Sequence, residues 1–262
     1  MMKVLLTGDD GYQALGLRIV ATVLKEKGVD VKIAATQKER SSTGGSFPGE
    51  GRWGKNTSEG VEALWVDGMP ADAVELASHV YGTDFDLLIS GANMGVNVGN
   101  IAASGTMGAA IHGLNKAVAK KAVALSWRVD RSLIDEGAET IPVAKFAEHP
   151  QQTIASLLEL IFKNDFWGAD FLNCNLPGET PSKLRLCQPM IAPNARFYNY
   201  KLEIDQSAGT YKKVPGAYKE QTDDLTYDGA ALLAGYATAV HWLANQYVNH
   251  ELLHLIGAEY DL

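Results

Sequence analysis

The stretch Gly8-Asp9-Asp10-Gly11 follows directly on the apolar run Val4-Leu5-Leu6-Thr7. Two adjacent carboxylates at a strand's end either face water in an Asp-Gly turn or hold a cation between them. Two further polar segments would complete a cation site. Arg40-Ser41-Ser42-Thr43-Gly44-Gly45 offers a hydroxyl, and Ser90-Gly91-Ala92-Asn93 offers an amide oxygen. Together with Asp9 and Asp10 these form an all-oxygen donor set of the kind hard divalent cations take, with water completing the shell. Ser104-Gly105-Thr106 stands where a helix would begin. Its free N–H groups and dipole would bind an anion, and Gly105 would let that anion approach closely. Alone it is equally a plain N-cap. Beside an oxygen-rich site it becomes a phosphate-binding candidate.

The surrounding pattern supplies the elements that such a site needs. Residues 15–28 repeat apolar positions at helical spacing up to Gly28, and Asp30–Thr36 reads as a second strand, so the chain opens with a β-α-β unit. Residues 40–60 read as a long polar, glycine-rich loop. "VEALWV", "DLLIS" and "KAVALSW" read as strands, and Pro70 starts a helix, as does Gly105. Strand–helix alternation of this kind gives a parallel sheet covered by helices, with ligands at the carboxyl ends of its strands. Further on, 151–163 reads as a helix and "ADFLNCNLP" and "KLRLCQP" as strands. Residues 196–214 suit a projecting hairpin with Ser207-Ala208-Gly209-Thr210 at its tip, and the mostly apolar stretch 225–257 is expected to end in helix. The expected fold class is therefore α/β, a Rossmann-like parallel sheet with helices on both faces. Residues 1–190 form the expected α/β domain, and 191–262 a hairpin and helical extension suited to oligomerisation.

Composition narrows the partners. A net charge of −8 with no Lys/Arg-rich run argues against a nucleic-acid polymer or an anionic membrane. A local site can still oppose the global charge and take a small anion. The two cysteines, Cys174 and Cys187, make no disulfide framework and read as buried thiols. The apolar run after Lys3 is short for a leader, and no segment reaches the ~20 apolar residues of a membrane span, so the cytoplasm is the expected address.

In order along the chain, "VLLTGDDGYQALG", "KERSSTGGS", "VDGMPADAV", "DLLISGANMGVNVG" and "SGTMGAAIHG" resemble the SurE family, the stationary-phase survival proteins. Weaker echoes follow in "FLNCNLP", Gln221-Thr222-Asp223 and Gly235-Tyr236. The resemblance implies a metal-dependent phosphatase of 5′- or 3′-nucleoside monophosphates, with Mg²⁺ or Mn²⁺ as the usual metal. It implies metal ligands at Asp9, Asp10, Ser41 and Asn93. It also implies phosphate binding at Asn97, Ser104, Gly105 and Thr106, and a homodimer or homotetramer through the C-terminal segment. Such a cation would polarise a phosphoryl oxygen and activate a water for in-line attack, with Asp9 or Asp10 as catalytic proton acceptor. The chain departs from the family at Gly8, where an asparagine is usual. Since Asn and Gly both enter positive φ readily, Gly8 is expected to keep a left-handed turn.

Rival readings are weaker. A receiver domain also ends its first strand in an acidic pair, but "DLLISGANMG" has no aspartate to accept a phosphoryl group. "HELLH", residues 250–254, spells a zinc-protease motif, yet Tyr260 stands at the usual third-histidine position, so the expectation is plain amphipathic helix. A nucleotide-binding protein without turnover remains an alternative. Trp53 is a candidate for stacking on a base, whereas His79 and His112 read as surface or packing residues.

Overall fold

The computed structural model describes residues 1–99, 102–130, 133, 138–190, 200–215, 222–242 and 257–261. Its backbone is a ten-stranded sheet. The first six strands are β1 (Lys3–Thr7), β2 (Asp30–Thr36), β3 (Trp53–Ser58), β4 (Val61–Val66), β5 (Phe85–Met94) and β6 (Ala119–Trp127). They are followed by β7 (Phe171–Leu176), β8 (Lys183–Leu186), β11 (Ala237–Trp242) and β12 (Glu259–Asp261). The spatial order is β12-β8-β11-β7-β6-β5-β1-β2-β4-β3. From β4 across to β7 every neighbouring pair is parallel. β3 and β12 pair antiparallel at the two edges, and β11 runs antiparallel to β7. Strands from both sides of residue 190 therefore share one sheet.

Successive residues of β1 feed opposite faces. Val4 and Leu6 pack with α1 (Leu15–Glu26) and α4 (Thr153–Lys163), and Leu5 packs with α2 (Pro70–Tyr81) and α3 (Gly105–Asn115). That alternation, with helices on either side, is what makes the parallel strands nearly continuous apolar runs. The chain turns to one side after β1 and returns to the other side at β5. The switch point thus lies between β1 and β5, where an open α/β sheet forms its ligand crevice. Asp9 and Asp10 leave β1 there, and Asn93 lies near the end of β5.

Two expected elements differ. The glycine-rich stretch 40–60 is not loop throughout, because Trp53–Ser58 folds back as an edge strand on β4 around Glu59-Gly60. An edge strand with a solvated face lacks the apolar alternation that would announce it, and Lys55, Asn56 and Thr57 are all exposed. The apolar stretch after residue 225 holds a strand as well as a helix, and residues 243–256, where it was expected to end in helix, lie outside the described residues. It forms α5 (Asp228–Leu233), turns at Gly235 (φ 91°), and enters the sheet as β11 between β7 and β8. Burial on both faces gave β11 the unbroken apolar look that periodicity cannot separate from buried helix. The hairpin forms as β9 (Tyr200–Asp205) and β10 (Thr210–Pro215), with Asp205 accepting from the amides of Ser207 and Ala208. Among the described residues no helix is long and apolar enough to cross a membrane.

Candidate metal and phosphate site

Asp9 is buried at the end of β1, its main-chain oxygen accepting from the Arg40 amide at 2.7 Å. This bond ties the 40–45 loop to the acidic pair, with Ser41 next along the chain from the residue bonded to Asp9. The Thr106 hydroxyl donates to Asp9 Oδ1 at 2.7 Å. The Thr106 amide also donates toward that carboxylate, so the start of α3 faces Asp9 itself. Ser104 behaves as the N-cap its position suggested, its Oγ accepting from the Met107 amide at 3.2 Å. Asp10 Oδ2 accepts from the Met94 amide at 2.7 Å. The neighbouring Asn93 donates through Nδ2 to the Gly95 carbonyl at 3.0 Å, which leaves its Oδ1 as the available donor oxygen to a cation.

The charges of this pair are poorly compensated. Burial raises the Asp9 carboxyl above its usual range, partly offset by the Thr106 hydroxyl, and Glu39 adds further repulsion. Asp10 is pushed up to about 7, first by burial, then by the Asp9 charge. The one guanidinium of the covering loop, on Arg40, turns away to the Asp67 carbonyl. Among the described residues no lysine or arginine forms an ion pair with Asp9 or Asp10. Two adjacent carboxylates, one buried and one half-buried, with oxygens left over after Thr106 and Met94 are served, suit a divalent cation. The residues present therefore fit the metal that the donor set implies.

Asn97 reaches the same cluster. Its Nδ2 donates to Thr106 Oγ1 at 3.3 Å and to Ser126 Oγ at 3.0 Å. Gly105 is a close-approach position, since a Cβ there would stand 2.8 Å from Asp9 Oδ2 and 3.1 Å from Thr43 Oγ1. The expected set thus falls into one neighbourhood. Asp9, Gly105, Thr106 and Asn97 are in contact or bonded in series. Asp10 with Asn93, and Ser41 beside Arg40, are tied to it through the backbone.

Gly8 does not occupy the left-handed region. The positive φ of this turn belongs to Gly11, at 113°. A Cβ on Gly8 would meet only Leu17 Cδ1 at 3.5 Å and the Gly91 amide nitrogen at 3.9 Å, ordinary contacts. Gly8→Asn is accordingly expected to fold with a melting temperature within a few degrees of the parent. Its stability should change by less than about 1 kcal/mol, with unfolded-state entropy favouring the variant. Thermal melting with and without Mn²⁺ checks this, and loss of the Mn²⁺ response would mean the loop geometry tolerates only glycine.

Several residues near the site escaped the sequence reading. Glu39 is a third carboxylate within electrostatic reach, and its Oε1 accepts from the Ser41 amide at 2.8 Å. Asn173 and Asn175, alternate residues of a buried strand, bond the Asn97 backbone. Two amides on one face of an apolar strand were the available signal. Asp228, fully buried, accepts from the amides of Gly99 and Met190. Trp53 is half exposed, lining a groove of about 260 Å³ with Phe47 along α2. His112 bonds Glu75 Oε2 at 2.8 Å and stacks near Phe47, a packing role. Residues 250–254 lie outside the described residues.

The chain was compared with known proteins. Residues 4–195 match the family model described as Survival protein SurE. The chain is 32% identical over 244 residues to the "5'-nucleotidase SurE" of Chloroflexus aggregans, covering 90% of this chain and 91% of the relative. It is 32% identical to the protein of that name from Solidesulfovibrio magneticus, at 90% and 89% coverage. The crystal structure of the SurE protein from Aquifex aeolicus superposes with a TM-score of 0.69 over 96% of this chain and 97% of that one, at 23% identity. With a family match over most of its length, an acidic pair at the β1/β5 switch point and a helix start set against it, the chain belongs to the SurE family.

Proposed function

We propose that this chain is a divalent-metal-dependent phosphomonoesterase of nucleoside 5′- or 3′-monophosphates. The observation that carries the reading is the uncompensated acidic pair of buried Asp9 and half-buried Asp10, with Asp9 joined through the Thr106 hydroxyl to the start of a helix. The relatives named 5'-nucleotidase support the substrate class. Asp9 through Oδ2, Asp10, Ser41 and Asn93 through Oδ1 would hold Mg²⁺ or Mn²⁺. When bound, such a cation polarises a phosphoryl oxygen and lowers the pKa of a water. Ser104, Gly105 and Thr106 at the start of α3, with the Asn97 carboxamide beside them, would orient the phosphoryl oxygens and stabilise their charge. Asp9 or Asp10 would take the proton from the attacking water.

The hairpin supports assembly into a homodimer or homotetramer. Leu202, Ile204 and Tyr211, with Ile204 and Tyr211 paired in register, leave an exposed apolar face that a second copy would cover. The buried free thiols of Cys174 and Cys187 suit a reducing cytoplasm.

A phosphate-release screen over nucleoside monophosphates tests the reading. EDTA-treated protein is expected to release no phosphate, and Mg²⁺ or Mn²⁺ to restore release. Full activity after exhaustive chelation overturns the metal site. Nucleotide retained without phosphate release, with metal present, identifies a binding protein instead.

A further inference from the structure

The segment carrying Asn97 lies outside the regular strand pairing, so its peptide groups need other partners. Val96 and Val98 are buried against Met190, Ala230 and Leu232, which leaves Asn97 on the opposite side of the segment. Asn175 meets the Asn97 backbone with both ends of its carboxamide. The Asn97 amide donates to Asn175 Oδ1 at 2.8 Å, and Asn175 Nδ2 donates to the Asn97 carbonyl at 3.0 Å. That pair already satisfies the buried peptide groups. Asn173 nevertheless adds a second donor to the same carbonyl at 2.7 Å, while its own Oδ1 stays buried with no partner among the described residues. A buried oxygen left without a partner asks for an explanation beyond satisfying the backbone.

The explanation is direction. With its backbone clamped twice, Asn97 presents Nδ2 to Thr106 Oγ1 and Ser126 Oγ. Thr106 Oγ1, receiving that donor, turns its own proton to Asp9 Oδ1 at 2.7 Å. From the Asn97 carboxamide onward the series of donors therefore runs one way, through Thr106 to the acidic pair, and holds Asp9 Oδ1 as an acceptor with Oδ2 left over. We propose that Asn173 and Asn175 are positioning residues. By fixing the Asn97 peptide they fix its carboxamide against Thr106 and, through Thr106, the orientation of the Asp9 carboxylate. This rests on the reading of Asp9 as a cation ligand.

The test uses the full chain and measures Mn²⁺ and inorganic phosphate binding by calorimetry, with melting temperatures taken in EDTA. Asn173→Leu keeps the side chain's size and removes the unpartnered oxygen. It should leave the metal-free melting temperature near or above the parent value while weakening Mn²⁺ binding about tenfold, the scale usual for residues that orient metal ligands. Asn175→Asp keeps the acceptor for the Asn97 amide but sets an oxygen against its carbonyl, and should weaken Mn²⁺ and phosphate binding by at least as much. A merely structural role would lower the melting temperature and leave both affinities within threefold of the parent, which overturns the proposal. If Asn173→Leu does not fold, Asn173→Ser reads the same quantities. Failure of all three variants to fold assigns the asparagines to the fold alone and overturns it too. A parent chain that binds no Mn²⁺ overturns both this role and the proposed function. Mn²⁺ binding weakened by the variants, with no phosphate released from any nucleotide by the parent, supports the positioning role and overturns only the nucleotidase reading.

Discussion

Asp10→Asn is expected to remove most of the Mn²⁺ affinity and to cut phosphate release by roughly 10²–10³-fold, the scale of losing one preorganised electrostatic contact. The variant should fold, because an asparagine oxygen can accept from the Met94 amide as Asp10 Oδ2 does. In EDTA it should melt higher than the parent at pH 8. The sign follows from the raised pKa. A carboxyl held at about 7 in the fold, against 3.8 ordinarily, makes the folded state bind the extra proton. The contribution of this carboxyl to metal-free stability is therefore fully present below about pH 4 and is lost as pH rises through 7, by up to about 4 kcal/mol for such a shift. Asparagine removes that slope. In the parent, Mn²⁺ competes with the proton, so its stabilising effect should be larger at pH 8 than at pH 5. Melting curves at both pH values, with EDTA and with Mn²⁺, check all three statements. An Asp10→Asn protein that keeps the full Mn²⁺ response would remove Asp10 from the ligand set.

Gly105→Ala carries the second large effect. Gly105 begins α3, where alanine is favoured over glycine by up to about 1 kcal/mol on helix propensity alone. Here the added methyl would stand 2.8 Å from Asp9 Oδ2, 3.0 Å from Asp9 Cβ and 3.1 Å from Thr43 Oγ1. Asp9 is tied at Oδ1 to Thr106, so it cannot rotate away without giving up that bond. The expected outcome is a folded protein with little change in melting temperature. Mn²⁺ binding should weaken more than tenfold and kcat/KM should fall about 100-fold, which is about 2.7 kcal/mol. Unchanged Mn²⁺ affinity would show that Asp9 Oδ2 is not confined by the helix start.

The β-α-β start and the parallel sheet covered by helices were legible because they depend on local signals. Apolar runs such as Val4–Leu6 and the amphipathic repeat of Leu15–Glu26 are short-range patterns, and β-α-β handedness leaves few ways to assemble them. The acidic pair was equally visible as two adjacent carboxylates at the end of an apolar strand. What escaped were elements whose identity depends on a distant neighbour. Trp53–Ser58 is a strand only because β4 lies beside it, and Ala237–Trp242 only because β7 and β8 leave a gap between them.

At the site the division is the same. Residue types alone determined that Asp9, Asp10, a hydroxyl of the 40–45 loop and Asn93 offer oxygens suited to a hard cation, with Ser41 singled out by the family resemblance, and that Ser104-Gly105-Thr106 could begin a helix. Their spacing along the chain carried no information about direction. Only the tertiary structure decided that α3 faces Asp9, that Gly11 rather than Gly8 takes the positive φ, and that Gly105 is needed for its lack of a side chain. It alone brought Asn173 and Asn175 to the Asn97 backbone, across sequence separations of 76 and 78 residues. Those decisions belong to the fold because a hydrogen bond's value depends on distance and angle, and chain composition specifies neither until the sheet and helices have set them.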